Sequence, residues 1–153
     1  MSEVEYELYE GQPVDAVLGW VAEASRKVFG PGDVAEYRRS LEGKRNILIC
    51  LAVEQGVPVG FKIGFEERQY YFESWRGGVV ETARGRGIAE QMLRLQHAWC
   101  EQQDFRIIST TCSNDNVPMI TLNMRNGLLI VGTFFDRKKH PKVILQKHID
   151  AGE

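Results

Sequence analysis

The feature that most constrains the fold is a glycine-rich turn, Arg84-Gly85-Arg86-Gly87-Ile88-Ala89, placed between two segments of different periodicity. Before the turn, the aromatic and valine residues from Tyr70 to Val80 favour a β-strand. After the turn, apolar residues spaced four, three and four apart lie on one face of a helix: Ile88, Met92, Leu95 and Trp99. A strand that passes through glycines into an amphipathic helix predicts a layered domain of strands and helices.

This turn has the chemistry of an anion site. The first N–H groups of a helix have no partner within the helix, and the helix dipole favours negative charge beside them. Gly85 and Gly87 allow a phosphate to approach the backbone, and Ala89 keeps the first helical turn narrow. Arg84 and Arg86 add positive charge. An exposed loop with solvated arginines has the same composition, so the turn alone does not decide between the two interpretations.

The segments before the turn predict helices followed by antiparallel strands. We expect a strand at 5–8, helices at 14–29 and 34–43, and strands at 47–53, 57–65 and 70–80. A charged turn, Glu66-Glu67-Arg68, joins the last two strands. The pair Gly77-Gly78 within a strand pattern indicates a β-bulge or a close approach of another backbone.

The segments after the turn alternate between helix and strand. We expect a helix from 88 to about 103, a strand at 107–112, a helix at 117–126 ended by Gly127, and strands at 128–134 and 143–149. These elements predict an α/β (mixed α+β) fold with helices on both faces of one sheet. The length and the 43% hydrophobic and 26% charged content predict one globular domain, residues 1–153.

Charge and cysteine content restrict the partners and the location. Nineteen basic and twenty-one acidic residues give a net charge of -2, which disfavours nucleic acid and anionic membranes as partners. The acidic N-terminus lacks an apolar signal segment, and no run is long enough to span a membrane. The three cysteines, Cys50, Cys100 and Cys112, suggest neither a disulfide framework nor a metal site. A cytoplasmic protein without a metal is expected.

Two other classes of phosphate-binding motif do not fit the turn. No Gly-Lys-Ser/Thr follows it, as a Walker motif requires, and the preceding strands form a hairpin where a dinucleotide-binding fold has a βαβ unit. A nucleic-acid-binding loop carrying Arg84 and Arg86 is a third alternative, which the acidic net charge and the absence of a wider basic stripe disfavour.

The turn and a segment downstream resemble the GNAT acetyltransferase superfamily. The superfamily signature Arg/Gln-x-x-Gly-x-Gly/Ala is matched by Arg84, Gly87 and Ala89. The segment from Asn116 to Gly127 is similar to the second motif, and the resemblance covers roughly residues 45 to 149. It implies acetyl-CoA as cofactor, a primary amine of a small molecule, peptide or protein as acceptor, and direct attack on the thioester. A homodimer is compatible with it.

The resemblance also implies how the cofactor lies. The strand that ends at Val80 and the parallel strand that begins near Ile107 would splay apart, with the pantetheine arm between them. Backbone groups of Val79 and Val80 would bind this arm, and residues 84–89, including Arg86 and Ile88, would hold the pyrophosphate. A bulge at Gly77-Gly78 would turn N–H groups toward the thioester oxygen. The other interpretation of the bulge is sheet curvature alone.

Glu73 is the candidate general base, because an amine must lose its proton to attack. It lies on the strand eleven residues before Arg84 and resembles the position of a catalytic glutamate in several members of the superfamily. Period-two alternation places it on the same face as Trp75 and Val79. The alternative role is a surface glutamate paired with an arginine.

Asn123 occupies the position where members of the superfamily often carry a tyrosine that protonates the departing thiolate. An asparagine cannot donate a proton in this way, but it can hydrogen-bond the thioester or the cofactor amide. The acid role would then pass to water, to the acceptor or to another group. Asn116 is a candidate contact of pantetheine, and a helix N-cap is the equally good alternative. Loss of the tyrosine keeps open a non-catalytic acyl-CoA-binding or sensor module.

Overall fold

The structure, a computed structural model, describes residues 2–149. Its strands are, in chain order, β1 (Val4–Glu10), β2 (Arg45–Glu54), β3 (Val57–Arg68), β4 (Tyr71–Val79), β5 (Ile107–Ser113), β6 (Leu129–Phe135) and β7 (Pro141–His148). Its helices are α1 (Asp15–Phe29), α2 (Val34–Leu41), α3 (Ile88–Gln102) and α4 (Val117–Arg125), with a short 3₁₀ helix at Glu81–Ala83. The predicted domain, residues 1–153, extends beyond the described residues at both ends.

All seven strands form one sheet in the order β1-β2-β3-β4-β5-β7-β6. The first four strands pair antiparallel with their neighbours, while β4 and β5 are parallel and α3 connects them. The last strand, β7, lies between β5 and β6 and is antiparallel to both. This arrangement confirms the predicted mixed sheet with one parallel pair.

The helices α1 and α2 cover one face of the sheet. The core there contains apolar side chains from α1, α2, β2 and β3, among them Leu18, Val21, Leu41, Ile49, Phe61 and Ile63. Local signals set the helix ends: α1 begins after Pro13 and ends at Gly30, whose φ is 95°. The Asp33 carboxylate caps α2 by accepting from the Glu36 N–H at 2.8 Å.

The helices α3 and α4 lie on the opposite face. Residues on the buried side of α3, such as Met92 and Trp99, pack against β2, β3 and β4. α4 rests on β5, β6 and β7 through Met119 and Ile120. The two helices are joined by the Glu90 carboxylate, which accepts hydrogen bonds from Arg125. Helices on both faces were predicted, and the structure confirms them.

One predicted turn is wrong. Glu66, Glu67 and Arg68 belong to the end of β3, and the chain reverses at Gln69-Tyr70, where Tyr70 has a φ of 72°. The strand continues because Glu66 and Arg68 still pair with Phe72 and Tyr71 of β4. The Glu66 carboxylate also accepts hydrogen bonds from the Arg45 and Asn46 side chains of β2.

Candidate active site

The parallel strands β4 and β5 pair for only part of their length. The register runs from Tyr71 opposite Ile107 to Ser74 opposite Thr110. Both strands continue beyond these residues but no longer pair with each other. At the last pair the Thr110 hydroxyl donates to the Ser74 carbonyl at 2.9 Å. A gap therefore opens in the middle of the sheet, as the sequence analysis predicted for this pair.

The β-bulge in β4 lies at Trp75, so its predicted position at Gly77-Gly78 is wrong. Ile63 of β3 is opposite Arg76 and Gly64 is opposite Ser74, which leaves Trp75 as the extra residue. The two glycines are in register with β3 and serve close approaches. A Cβ at Gly77 would lie 2.9 Å from the Phe61 carbonyl oxygen, and one at Gly78 would lie 2.8 Å from Val28 of α1.

The extra residue changes which side chains share a face. Glu73 and Trp75 border one cavity, as predicted. Arg76 also faces α2, because its guanidinium lies 5.5 Å from the ring centroid of Tyr37. Val79 instead packs on the α3 side of the sheet, so its predicted place on the Glu73 face is wrong. The bulge reverses the alternation between the two positions.

The glycine-rich turn borders a cavity of about 230 Å³, which we call the turn cavity. Gly87 is the N-cap of α3 in a left-handed conformation, with φ of 78°, and no side chain caps the first N–H groups of the helix. At both Gly85 and Gly87 a Cβ would enter open space, with nothing within 4 Å. Uncapped N–H groups beside open space form a cradle of the size and polarity that a phosphate needs.

Two arginines border the turn cavity, and only one of them was predicted. Arg84 is one: its Nε donates to the Val79 carbonyl at 2.9 Å, which fixes the guanidinium beside the cavity. Arg125 of α4 is the other, and it shares a helical face with Pro118 and Leu122, which also line the cavity. That spacing of four and three is the sequence signal that would have identified Arg125.

Glu90 places a negative charge at the same cavity. Its carboxylate accepts hydrogen bonds from Arg125 at 3.1 and 3.2 Å and from Asn126 at 2.8 Å, and it pairs with Arg94. These bonds, Arg125 first, hold the pKa of Glu90 at about 2. The charge of Glu90 is therefore balanced within the protein, whereas the partner of the Arg84 side chain among residues 2–149 is a backbone carbonyl.

The Arg86 side chain points to β2 instead of the cavity. Its two terminal nitrogens donate to the Glu54 carboxylate at 3.0 and 2.7 Å, and one of them also reaches the Ser2 carbonyl at 3.3 Å. The Glu54 bond lowers the pKa of that carboxyl. Arg86 thus fastens the turn to the sheet, and only its backbone remains for the predicted contact with an anion.

The backbone of Val80 is fully used within the protein. Its N–H donates to the Val59 carbonyl and its carbonyl accepts from Ala83, both at 2.9 Å. Because neighbouring N–H groups of a strand point to opposite sides, those of Val79 and Gly77 face the gap. The groups available to a ligand in the gap are therefore those of Gly77 and Val79.

The second cavity, of about 690 Å³, lies on the face that α1 and α2 cover, and we call it the sheet cavity. It is lined by side chains of α2, β3, β4, β5, β6 and β7: Ser40, Lys44, Phe65, Glu67, Arg68, Tyr71, Glu73, Trp75, Ser109, Thr111, Phe134, Ile144 and Gln146. The turn cavity borders α3 and α4 on the other face. The gap between β4 and β5 lies between the two cavities.

Glu73 is an acid of the sheet cavity with a raised pKa. Partial burial and, after it, the charge of Glu67 raise the pKa of Glu73 to about 7, against a hydrogen bond with Ser109 that lowers it. Ser109 is itself held by Gln146 at 3.3 Å. A carboxyl group with this pKa exchanges protons efficiently near neutral pH.

Asn123 and Asn116 hold α4 in place. Asn123 is 4% exposed, and its Nδ2 donates to the Met119 carbonyl at 3.0 Å and to the Cys112 sulfur at 3.5 Å. The Asn116 side chain caps α4 by accepting from the Met119 N–H at 3.3 Å. Neither residue lines either cavity. Their predicted contacts with a cofactor stay predictions.

The cysteines are not placed for nucleophilic chemistry. All three are free and buried, and burial raises the pKa of Cys50 to about 12 and that of Cys100 and Cys112 above the ordinary value. Within residues 2–149, no three metal-ligating side chains form a cluster that could hold a metal. No helix in the same range is long and apolar enough to cross a membrane.

Comparisons with known proteins agree with this geometry. A search of curated proteins found no match. Among solved structures, the ribosomal-protein-S18-alanine N-acetyltransferase from Escherichia coli has a TM-score of 0.79 at 12% identity, covering 96% of this chain and 97% of that one. The IAA acetyltransferase from Bacillus cereus has a TM-score of 0.73 at 18% identity, covering 95% and 99%. The NatC complex bound to Gag peptide and CoA has a TM-score of 0.74 at 15% identity, covering 97% and 99%.

The TM-scores establish a shared fold, and at these low identities they establish the fold alone. The family itself is established by the sequence, because the model of the Acetyltransferase (GNAT) family matches residues 14–127, which is most of the chain. The match includes the turn, the gap-forming part of β4 and the whole of α4. The chain therefore belongs to the GNAT acetyltransferase family.

Proposed function

We propose that the chain is an acetyl-CoA-dependent N-acetyltransferase that acts on a primary amine. The observation that carries the proposal is the gap between β4 and β5, which lies between an uncapped helix N-terminus on one face and Glu73 on the other. The cofactor would enter from the turn cavity and the amine from the sheet cavity. The two would meet at the gap.

The turn cavity fits the phosphates of CoA. The backbone of residues 84–89 would bind the pyrophosphate, with Gly85 and Gly87 leaving the space that a phosphate fills. Ile88 and Ala89 supply N–H groups of the first helical turn, and Arg84 supplies the charge. The N–H groups of Gly77 and Val79 would hold the pantetheine arm. Bound acetyl-CoA supplies the acetyl group as a thioester, whose carbonyl carbon an amine can attack.

Glu73 would take the proton of the amine. Its pKa near 7 makes the carboxylate a base matched to neutral pH, and Ser109 orients it at the edge of the gap. A gap-facing N–H of β4 would bind the carbonyl oxygen as negative charge develops on it. Asn123 and Asn116 support α4 beside the gap, and direct hydrogen bonds from them to the cofactor remain part of the proposal.

The sheet cavity offers charged and aromatic surface to an acceptor. Its two acids, Glu67 and Glu73, are matched by Lys44 and Arg68, and Arg68 lies 3.9 Å over the ring of Tyr71, so the lining does not select an acceptor by charge. Among proteins of the same fold, one acetylates the alanine of ribosomal protein S18 and one was solved with a peptide and CoA. Peptides with a free N-terminus therefore belong in the first panel of acceptors, beside small primary amines.

The panel separates an enzyme from a sensor. The protein would be incubated with acetyl-CoA and each amine, and the acetylated product would be detected by mass spectrometry. We expect at least one acceptor to be acetylated faster than in buffer alone. CoA binding without acetylation of any acceptor would support the sensor module in place of the enzyme. Homodimerisation and location in the cytoplasm stay predictions, which sedimentation and cell fractionation would test.

A further inference from the structure

A group of polar side chains lies between α3 and the sheet, where apolar packing is expected. Gln96 is 1% exposed, yet neither its amide nitrogen nor its amide oxygen has a hydrogen-bond partner. His97 is 5% exposed, and its Nδ1 lies 3.3 Å from the Lys147 ammonium. Lys62 of β3 belongs to the same group, because it acts electrostatically on His97. Buried polar groups without partners usually mark water or a ligand.

Lys62 is placed at the gap by the strand beside it. It is opposite Gly77 in the β3–β4 register, and a Cβ at Gly77 would lie 3.4 Å from the Lys62 Cγ. The missing side chain at Gly77 leaves room for the lysine to cross β4. Two thiols act electrostatically on Lys62, and they lie on opposite sides of the β3–β4 pair: Cys112 on β5 and Cys50 on β2. Both Gly77 and Cys112 lie beyond the last β4–β5 pair, so Lys62, which is beside Gly77 and within electrostatic reach of Cys112, borders the gap.

The charge of Lys62 is uncompensated. Among the residues that the structure describes, no carboxylate forms an ion pair with it. Cys50 and Cys112 are thiols with raised pKa values, and the pKa of His97 is lowered to about 3, first by burial and then by the charges of Lys147 and Lys62. Lys62 is half-buried, and an anion beside it would offset the cost of removing its charge from water.

We propose that Lys62 is the group that meets the negative charge formed on the CoA sulfur when the acetyl group leaves. The inference rests on the proposed function, because it requires the pantetheine arm in the gap. It assigns to a lysine on β3 the stabilisation of the leaving sulfur, beside an asparagine on α4 that cannot donate a proton to it.

In the proposed step the amine nitrogen forms a bond to the carbonyl carbon, and the carbon–sulfur bond breaks with its electron pair on sulfur. The Lys62 ammonium keeps its proton and pairs with that sulfur, so CoA forms as a thiolate. Glu73 takes the proton of the amine and releases it to solvent, and the thiolate takes a proton from solvent when CoA leaves the gap. A thiolate beside Lys62 favours the charged lysine, against the burial that lowers its pKa.

The test measures the product complex and needs no turnover. The wild-type protein and Lys62→Met are saturated with CoA, and the thiolate is followed by ultraviolet absorbance against pH, with the absorbance of the protein alone subtracted. We expect the wild-type protein to lower the pKa of the CoA thiol by about one unit or more relative to free CoA. Lys62→Met removes this effect. Lys62→Arg retains it, because the positive charge remains.

Lys27→Met is the matched control. It removes the positive charge of an exposed side chain on α1, which pairs with Glu23. We expect it to leave the thiol pKa unchanged. A thiol pKa in the wild-type complex equal to that of free CoA overturns the inference and does not depend on any variant folding. Equal values in wild type and Lys62→Met also overturn it. A wild-type protein that does not bind CoA overturns the proposed function, and the inference with it.

Discussion

The carboxylate of Glu73 lies between the hydroxyl of Ser109 and the negative charge of Glu67, partly removed from solvent. Burial raises its pKa first and Glu67 adds to the effect, so the group titrates near pH 7. A surface glutamate paired with an arginine would have a lowered pKa, as Glu54 and Glu66 have in this protein. The environment of Glu73 therefore favours the base over the alternative.

Glu73→Gln should lower kcat at saturating acetyl-CoA roughly 100-fold or more, because the amide cannot accept the proton of the amine. In the wild-type protein the rate should rise with pH through about 7, as Glu73 loses its proton. This rise should be absent in the variant. A pH–rate profile of both proteins with one amine checks the prediction, and an unchanged rate at neutral pH eliminates Glu73 as the base.

Stability provides an independent check of the Glu73 pKa. The folded pKa of about 7 lies above the unfolded value, so the folded state binds the proton more tightly. The contribution of Glu73 to wild-type stability should therefore fall as pH rises from about 4.5 to 7, while other groups such as His97 act equally in wild type and variant. The Glu73→Gln side chain cannot ionise. The urea unfolding midpoint of the variant minus that of the wild-type protein should therefore be larger at alkaline pH than at pH 4.5. An equal difference at both pH values would contradict the raised pKa.

The two arginines of the turn should differ in effect. Arg84→Met should weaken CoA binding roughly 10-fold or more, because a charged hydrogen-bond donor beside the phosphates is lost. Arg86→Met should change CoA affinity much less, but it should lower stability at neutral pH, because Glu54 loses its partner. The stability loss should disappear in acid, where Glu54 is protonated in both proteins. Calorimetry and urea unfolding measure the two effects, and equal affinities in both variants would contradict the assignment.

At the scale of single residues, the sequence indicated which positions lie near the candidate site, but not which groups their side chains contact. The turn, Glu73 and the two asparagines were located from the pattern and the family resemblance. The separate directions of Arg84 and Arg86 depend on Val79 and Glu54, which are five and thirty-two residues away. Such pairings are set by tertiary structure, so local periodicity carries no sign of them.

Among the elements, β4 carries the most information about the site. It is bulged at Trp75, paired with β3 throughout and paired with β5 only to Ser74. The paired glycines correctly indicated a close backbone approach, and the predicted bulge at the same place was wrong. A bulge depends on which residue of the partner strand lies opposite, and one strand's sequence does not contain that information.

Gly87→Val should weaken CoA binding at least about 10-fold, because the added side chain fills the space beside the uncapped N–H groups. Gly56→Val is the matched control. Gly56 has a φ of 75° against 78° for Gly87, it also borders open space, and it lies in the β2–β3 turn. Both variants carry similar backbone strain, so a difference in CoA affinity reports the cavity. Equal affinity in the two folded variants would contradict the phosphate site.

Gly78→Ala tests the contact of α1 with β4. The new Cβ would lie 2.8 Å from Val28, so the helix and strand must separate, at a cost of about 1–3 kcal/mol. Val28→Ala in the same chain removes the obstructing methyl groups and should recover part of the loss. Urea unfolding of the single and double variants measures this coupling. Additive losses would show that the close approach does not limit stability.

For the whole molecule, the order of elements predicted the architecture but not the final strand order. Antiparallel strands before the turn and alternating strands and helices after it correctly indicated one mixed sheet with helices on both faces. The insertion of β7 between β5 and β6 was not predicted. It follows from long-range pairing, since Cys112 of β5 lies opposite Val143 of β7. This insertion completes the wall of the sheet cavity with Ile144 and Gln146.

The central claim is that the split sheet binds acetyl-CoA through the turn cavity and passes its acetyl group to an amine in the sheet cavity. Calorimetric titration of the wild-type protein with acetyl-CoA, followed by thiol release from the same complex on addition of amines, tests it most directly. We expect saturable binding at one site and thiol release that depends on both the amine and the protein. Absence of acetyl-CoA binding by the folded protein would contradict it.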